Sequence, residues 1–248
     1  FTIPDSVPSV GEYAFAGCSS LTSVVIPDSV TSIGEYAFRN CGSLTSVVIG
    51  DGVTTVGDCA FYNCSSLMNI AVSANNPAYK NIDGNLYSKD GETLVQYIIT
   101  KTETSFIIPD GVTSICGGAF YNCYSLISVV IPDSVTSIGN YAFYNCYRLT
   151  SITIPDSVTS IGESAFYNCS NLTEMILPFV GSSKNGTSDT HFGYIFGASS
   201  YSYKSYIPTS LKKVTITSAT SIGNSVFYYC DSLTSVVIGD GVTTVGDC

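Results

Sequence analysis

The amino-acid sequence predicts a repeat solenoid, in which copies of one short motif stack on one another along the chain. First, residues 26–34 and 131–139 share the sequence Ile-Pro-Asp-Ser-Val-Thr-Ser-Ile-Gly. Second, an Ile column recurs every 23 residues at Ile3, Ile26 and Ile49. Third, the residues before each column alternate between apolar and polar, which is typical of a strand with one buried face.

The Ile column defines about eight coils, and two longer inserts interrupt the series at about residues 75–104 and 178–210. Residues 235–248 copy residues 46–59. The chain starts inside one coil at Phe1 and stops inside another at Cys248, so we expect a fragment of a single solenoid, residues 1–248, truncated within a repeat at both ends. The coils begin at Ile3, Ile26, Ile49, Ile108, Ile131, Ile154, Ile216 and Ile238.

The composition excludes several classes of protein. Only 11% of the residues are charged and 45% are hydrophobic, which is incompatible with intrinsic disorder. No apolar run approaches the ~18 residues that a membrane-spanning helix needs. The net charge of −10 with nine basic residues argues against nucleic acid and anionic membranes as partners.

Each coil is expected to begin with a strand and a turn. Leu44, Val47 and Ile49 form the apolar side of the strand. Pro27, which follows the Ile column in its coil, ends the strand because it has no N–H group for a sheet. The Pro-Asp-Ser sequence then predicts a turn, in which Asp28 bonds the backbone two residues later.

The rest of the coil is expected to return the chain to the next strand. Val30 and Ile33 form a second apolar pair, consistent with a short second strand. An Ala-Phe pair recurs in nearly every coil, and Phe38 and its equivalents should stack as a continuous aromatic spine. Cys41 closes the coil before Leu44.

The columns Leu-x-x-Val-x-Ile-Pro, Val-x-x-Ile-Gly and Ala-Phe-x-x-Cys resemble the BspA-like, or treponemal-type, leucine-rich repeat. Residues 81–91 and 193–197 are similar to the interruptions of that family. The resemblance implies a right-handed leucine-rich-repeat solenoid, rich in β-structure with short helical or 3-10 turns. It also implies a bacterial or protist protein, extracellular or on the cell surface, that functions in adhesion or other protein binding.

The cysteines fall into two groups. One column holds seven of them, which we interpret as buried free thiols because equivalent side chains of stacked coils point the same way and not at each other. Bridges within the column and a zinc site are weaker alternatives, and His191 is the single histidine. Cys59, Cys116 and Cys248 lie off the column and are expected to be more exposed or reactive. The column consists of Cys18, Cys41, Cys64, Cys123, Cys146, Cys169 and Cys230.

No set of residues predicts catalysis, a resident metal or a cofactor. Glu12, Glu35 and Asp58 share a column that could mimic a glycosidase pair, but duplication alone produces such a ladder, so we expect solvated acids. A second acidic column lies in the turns, where local backbone bonding is favoured over weak calcium binding. It consists of Asp5, Asp28, Asp51, Asp110, Asp133, Asp156 and Asp240.

Two candidate binding surfaces remain. One is the concave strand face, which is nearly uncharged and offers few Trp, Tyr or Arg anchors. Its candidate residues are Ser23, Val25, Ser46, Val48, Asn69, Ala71, Ser128, Val130, Ser151, Thr153, Glu174, Ile176, Lys213, Thr215, Ser235 and Val237. The other is the second insert, whose aromatic residues either pack onto the solenoid or contact a ligand. These are Phe192, Tyr194, Phe196, Tyr201, Tyr203 and Tyr206.

The leading functional hypothesis is a non-enzymatic interaction module that binds an unidentified protein. The alternatives are a structural spacer that holds another domain away from the cell and, less favoured, a carbohydrate-active enzyme. The match to a solenoid repeat without catalytic residues motivates this order.

Overall fold

A computed structural model describes residues 1–184, 190–199 and 206–247 of the chain. These residues form short strands and one 3-10 helix, Phe192–Phe196. The strands are β1 (Ser9–Val10), β2 (Ser23–Ile26), β3 (Ser32–Ile33), β4 (Ser46–Ile49), β5 (Thr55–Val56), β6 (Asn69–Val72), β7 (Tyr79–Ile82), β8 (Asn85–Ser88), β9 (Thr93–Gln96), β10 (Ser105–Ile107), β11 (Ser114–Ile115), β12 (Ser128–Val130), β13 (Ser137–Ile138), β14 (Ser151–Thr153), β15 (Ser160–Ile161), β16 (Glu174–Leu177), β17 (Lys213–Ile216), β18 (Ser221–Ile222), β19 (Ser235–Ile238) and β20 (Thr244–Val245). No helix within the described ranges is long and apolar enough to cross a membrane.

The chain divides into two compact units. The first unit comprises Phe1–Lys101 and Ile115–Cys123, and the second comprises Thr102–Ser114 and Tyr124–Cys248. Both are built from the predicted coils, most of which contribute one long strand of three or four residues and one short strand of two. The repeat solenoid predicted by the sequence is therefore confirmed.

In the first unit, the long strands β2, β4 and β6 pair in parallel, with Ser23, Ser46 and Asn69 aligned across them. The short strands β1, β3 and β5 form a second parallel sheet. In the second unit, the long strands form β10–β12 and β14–β16–β17–β19, and the short strands form β13–β15 and β18–β20. We call the exposed side of the long strands the long-strand face.

The coil interior contains the predicted apolar columns. Leu44, Val47 and Ile49 are completely buried, since each lies between coils that carry the same column. Phe38 is also completely buried and stacks on Phe15 at 5.2 Å and on Phe61 at 5.6 Å between ring centroids. The second unit repeats this packing between Phe143 and Phe166, at 5.2 Å. The spine is thus present in both units.

Threonine hydroxyls form hydrogen bonds between successive coils on the short-strand side. The Thr31 hydroxyl donates to the Pro8 carbonyl at 3.1 Å, and the Thr54 hydroxyl donates to the Thr31 carbonyl at 3.2 Å. Thr136 and Thr159 bond in the same way in the second unit. Each of these bonds joins residues 23 apart, so the side chain reaches back by one coil.

Asparagines form a second ladder in the turn that follows each Ala-Phe pair, which we call the Ala-Phe turn. Nδ2 of Asn63 donates to Oδ1 of Asn40 at 3.0 Å, and Nδ2 of Asn168 donates to Oδ1 of Asn145 at 2.8 Å. These four residues have φ values of 55° to 60°, a left-handed conformation that Asn tolerates better than most residues. The turn geometry and the ladder together account for Asn at this position.

The column cysteines are free thiols, and most of them are buried. The thiols of Cys41 and Cys64 donate to the Phe15 and Phe38 carbonyls, each at 3.1 Å, and Cys169 donates to Phe143 at 3.2 Å. These three thiols therefore donate to a backbone carbonyl of the neighbouring coil. Cys18, in the first coil, is the exposed member.

The expectation for Cys59 and Cys116 is wrong. Cys59 is buried and Cys116 is half-buried, and burial raises the pKa of each thiol to about 12. A raised pKa leaves little of the nucleophilic thiolate at neutral pH. Both side chains therefore act as apolar packing groups. Cys248 lies outside the described residues.

The first insert adds the antiparallel strands β7, β8 and β9. It begins on the coil itself, because the buried Asn76 amide donates to the Gly50 and Val53 carbonyls at 2.7 and 3.0 Å. Farther along, the Asn81 amide donates to the Ile70 carbonyl of β6 at 2.5 Å. The insert therefore extends a coil whose long strand is β6.

The second insert supplies spine residues through its 3-10 helix. Phe192 and Phe196 are completely buried, and the Phe192 ring lies 5.3 Å from that of Phe227. The amide of Phe166 donates to the Ile195 carbonyl at 2.8 Å, a bond that an Ala-Phe turn makes elsewhere. This insert is thus the second half of the coil that starts with β16. With β6 and β16 included, the chain has about ten coils, where the Ile column alone gave eight.

Candidate interaction surfaces

The long-strand face of the first unit carries two parallel rows of outward side chains. One row is Ser23, Ser46 and Asn69; the other is Val25, Val48 and Ala71. Val25 and Val48 are 37% and 40% exposed, whereas the alternate residues of the same strands are buried. The two rows are therefore uncharged, and one of them is apolar.

An open groove of about 410 Å³ runs beside this apolar row. Val25 and Val48 form one side, and Asp5, Asp28 and Ser29 line the groove near the turns. Oδ1 of Asp28 accepts a hydrogen bond from the backbone N–H of Asp51 in the next coil at 2.7 Å. The predicted bond to the backbone two residues later is thus replaced by one between coils.

The long-strand face of the second unit differs by carrying charge. Nζ of Lys213 lies 2.7 Å from Oε1 of Glu174 across β16 and β17, and both side chains are partly exposed. Ser151 and Ser235 flank this ion pair in the same row. The second row holds Thr153, Ile176, Thr215 and Val237, and on the pair β10–β12 Ser128 and Val130 face outward.

The second insert offers fewer contact residues than its sequence suggested. Because Phe192 and Phe196 are buried in the spine, they cannot contact a ligand at the surface, and their inclusion as binding candidates is corrected. Tyr194 and Tyr206 are half-buried. Tyr201 and Tyr203 lie outside the described residues.

The acidic columns and the histidine form no cluster in the described ranges. No group of three His, Cys, Asp or Glu residues there could hold a metal ion. Glu12, Glu35 and Asp58 are exposed at the surface, and His191 is buried. Weak calcium binding along the turns therefore stays a prediction, without a preformed cluster to support it.

These features define the chain as a leucine-rich-repeat solenoid. The profile of the BspA type leucine rich repeat region matches residues 1–103, 97–185 and 198–248, in six copies. The chain belongs to this family. Among curated proteins, none matches it.

Solved structures of similar fold come from bacteria. A leucine rich cell surface protein of Faecalibacterium prausnitzii is 34% identical, with a TM-score of 0.74, over 96% of this chain and 59% of its own length. A leucine-rich repeat protein of Bacteroides ovatus is 28% identical, with a TM-score of 0.59, over 99% of this chain and 56% of its own. A leucine-rich repeat protein of Eubacterium ventriosum shares the fold at 23% identity and a TM-score of 0.65, over 99% of this chain and 80% of its own.

The chain thus spans less than two thirds of the first and the second of these proteins. The leucine-rich-repeat family suggests a protein-interaction or adhesion-type module. The Faecalibacterium protein is described as a cell surface protein. Catalysis has no support in this comparison, since the similar structures are leucine-rich repeat proteins.

Proposed function

We propose that this chain is the interaction module of a bacterial surface or secreted protein, and that it binds a partner protein through the long-strand face of the first unit. The main observation in support of this proposal is the row of Val25 and Val48, which is exposed on an ordered sheet. An exposed apolar row bordered by polar groups is the surface pattern that protein partners commonly cover.

The groove beside the row indicates the chemistry of the partner. Asp5 and Asp28 place two exposed carboxylates along one side of it, and the whole chain has a net charge of −10. A partner that presents an apolar ridge to Val25 and Val48, and Lys or Arg to the carboxylates, would match both features. Long-range attraction would also speed its association at low salt.

The internal duplication supplies a matched test. Val48 and Val237 occupy the same position of the identical segments 46–59 and 235–248, but lie in different units. Purified extracellular-matrix and mucosal proteins would be immobilised, and binding of the wild-type chain, Val48→Glu and Val237→Glu would be measured. We expect Val48→Glu to weaken binding at least about tenfold, because it buries a charge in an apolar contact.

The control variant Val237→Glu should bind the partner as tightly as the wild-type chain does. Equal losses of binding in both variants, or unchanged binding by Val48→Glu, would contradict a contact through the first unit. Absence of binding to every protein in the panel would count against the adhesion role itself.

A further inference from the structure

An open pocket of about 220 Å³ lies between the second insert and an Ala-Phe turn of the second unit. Its polar lining includes Asn168, Ser170 and Thr209, and its apolar lining includes Tyr167, Tyr206 and Pro208. None of the described residues that line it carries a charge. The rings of Tyr167 and Tyr206 lie 5.8 Å apart at an interplanar angle of 53°. The pocket therefore combines tilted aromatic groups with uncharged polar ones.

The asparagine ladder ends at this pocket. In the first unit, Oδ1 of Asn63 accepts a hydrogen bond from Nδ2 of Asn122, the next member, at 2.6 Å. Asn168 donates to Asn145, but within the described ranges no donor reaches Oδ1 of Asn168. The hydroxyls of Ser170 and Thr209 also have no partner there. Three hydrogen-bonding groups in one pocket are thus open to a ligand.

We propose that this pocket binds an uncharged N-acetylhexosamine, with the acetamido N–H donating to Oδ1 of Asn168. The group that fills the same acceptor in the first unit is an amide, so an amide N–H reproduces the ladder bond. The acetamido methyl group packs against the half-buried Tyr206 ring, and sugar hydroxyls pair with Ser170 and Thr209. Small-molecule sites commonly combine such an apolar lining with a few polar groups that fix orientation.

The described lining of the pocket favours an uncharged ligand. An anionic sugar would meet no Lys or Arg among the described lining residues and would approach a chain with a net charge of −10. A cationic ligand would find no carboxylate among those described residues. An unsubstituted hexose would supply hydroxyls but neither the amide N–H nor the methyl group. The acetamido group is therefore the distinguishing feature.

Titration of the ¹⁵N-labelled chain with N-acetylglucosamine, followed by NMR, tests the site. We expect saturable shifts of the Asn168 and Thr209 amide signals, and at least about tenfold weaker binding of glucose and glucuronate, since each lacks the amide. Thr209→Val removes one hydroxyl at constant shape. Asn168→Gly removes the acceptor, and glycine adopts the φ of 55° found there. Both variants should weaken binding about tenfold.

Tyr147→Ala is the matched control, because Tyr147 is an exposed tyrosine of the same unit that is not among the pocket residues. It should bind the sugar as the wild type does. Equal affinity for glucose, or an equal loss in Tyr147→Ala, would overturn the proposal, as would the absence of shifts at Asn168 and Thr209. This site lies outside the long-strand face, so its failure would leave the protein-binding proposal in place.

Discussion

Residues 46–59 and 235–248 have the same sequence but very different surroundings. Val47 and Ile49 are completely buried in the first copy, whereas Val236 and Ile238 are 38% and 39% exposed in the second. The first copy has β6 paired on one side and β2 on the other. In the second copy β19 pairs with β17 alone among the described strands. Burial is therefore decided by the neighbouring coils and not by the segment itself.

This comparison shows how stability is distributed in a stacked array. A coil gains apolar contacts only where another coil covers it, so the free energy is a sum of terms between nearest neighbours. Identical substitutions in the two copies should then lower the free energy of unfolding by unequal amounts. The following predictions order those effects from the largest to the smallest.

The largest loss of stability is expected from a substitution in the aromatic spine. Phe38 has rings on both sides, whereas among the described rings Phe227 contacts Phe192 and is only half-buried. Phe38→Ala should lower the free energy of unfolding by about 3–5 kcal/mol, because it removes a buried aromatic ring and leaves a cavity. Urea unfolding would measure it, with Phe227→Ala as the comparison. Equal effects of both substitutions would contradict a nearest-neighbour origin.

The duplicated strand gives the most direct comparison. Ile49→Ala should cost about 2–5 kcal/mol, as is usual for a completely buried isoleucine. Ile238→Ala should cost clearly less, since the side chain is already 39% exposed. Hydrogen exchange of amides near each site separates local from global unfolding. If the two variants lose the same stability, the packing is decided by the sequence of the segment and not by the coils that cover it.

The accessibility of each thiol to a reagent should also depend on whether a neighbouring coil covers it. Cys18, in the first coil, is exposed, whereas Cys59 and Cys169 are buried. A maleimide reagent at neutral pH should modify Cys18 rapidly and the other two only after unfolding, which mass spectrometry of peptides would show. Rapid modification of Cys59 in the folded chain would contradict its position.

Just above pH 9, the smallest effect on stability is expected from the thiols of Cys59 and Cys116. Burial raises the pKa of Cys59 and Cys116 from 9.0 to about 12, so the folded state favours the neutral thiols. Their contribution to stability is fully present below pH 9 and is lost as the pH rises towards 12. Thermal unfolding between these pH values should show a decline that is reduced in Cys59→Ala. An identical slope in that variant would argue against the raised pKa.

The sequence predicted the regular coil well, because its information is local and repeated. The columns of Val30, Ile33 and Phe38 recur often enough that their shared burial could be inferred without coordinates. The expected outward positions of the long strands follow from simple alternation. The apolar residues of these columns, whose neighbours lie one coil away at constant spacing, were placed correctly.

The residues that escaped prediction contact partners at irregular spacing. Phe192 enters the spine through a 3-10 helix within an insert, so no column marks it. Cys59 is covered by Gly117 and Gly118, which follow the first insert in sequence. The pocket beside Asn168 requires the insert to return Tyr206 to an Ala-Phe turn. Position along the repeat does not encode any of these contacts.

The threonine bonds between coils carry a consequence for how such genes change. Thr159 bonds the Thr136 carbonyl, and Thr136 bonds the Thr113 carbonyl, each 23 residues earlier. Removal of residues 136–158 would bring Thr159 to the carbonyl of Thr113, where a threonine already bonds. Within the regular coils, a deletion or duplication of one whole period therefore preserves these threonine hydrogen bonds, so the array can lose or gain one coil without losing them.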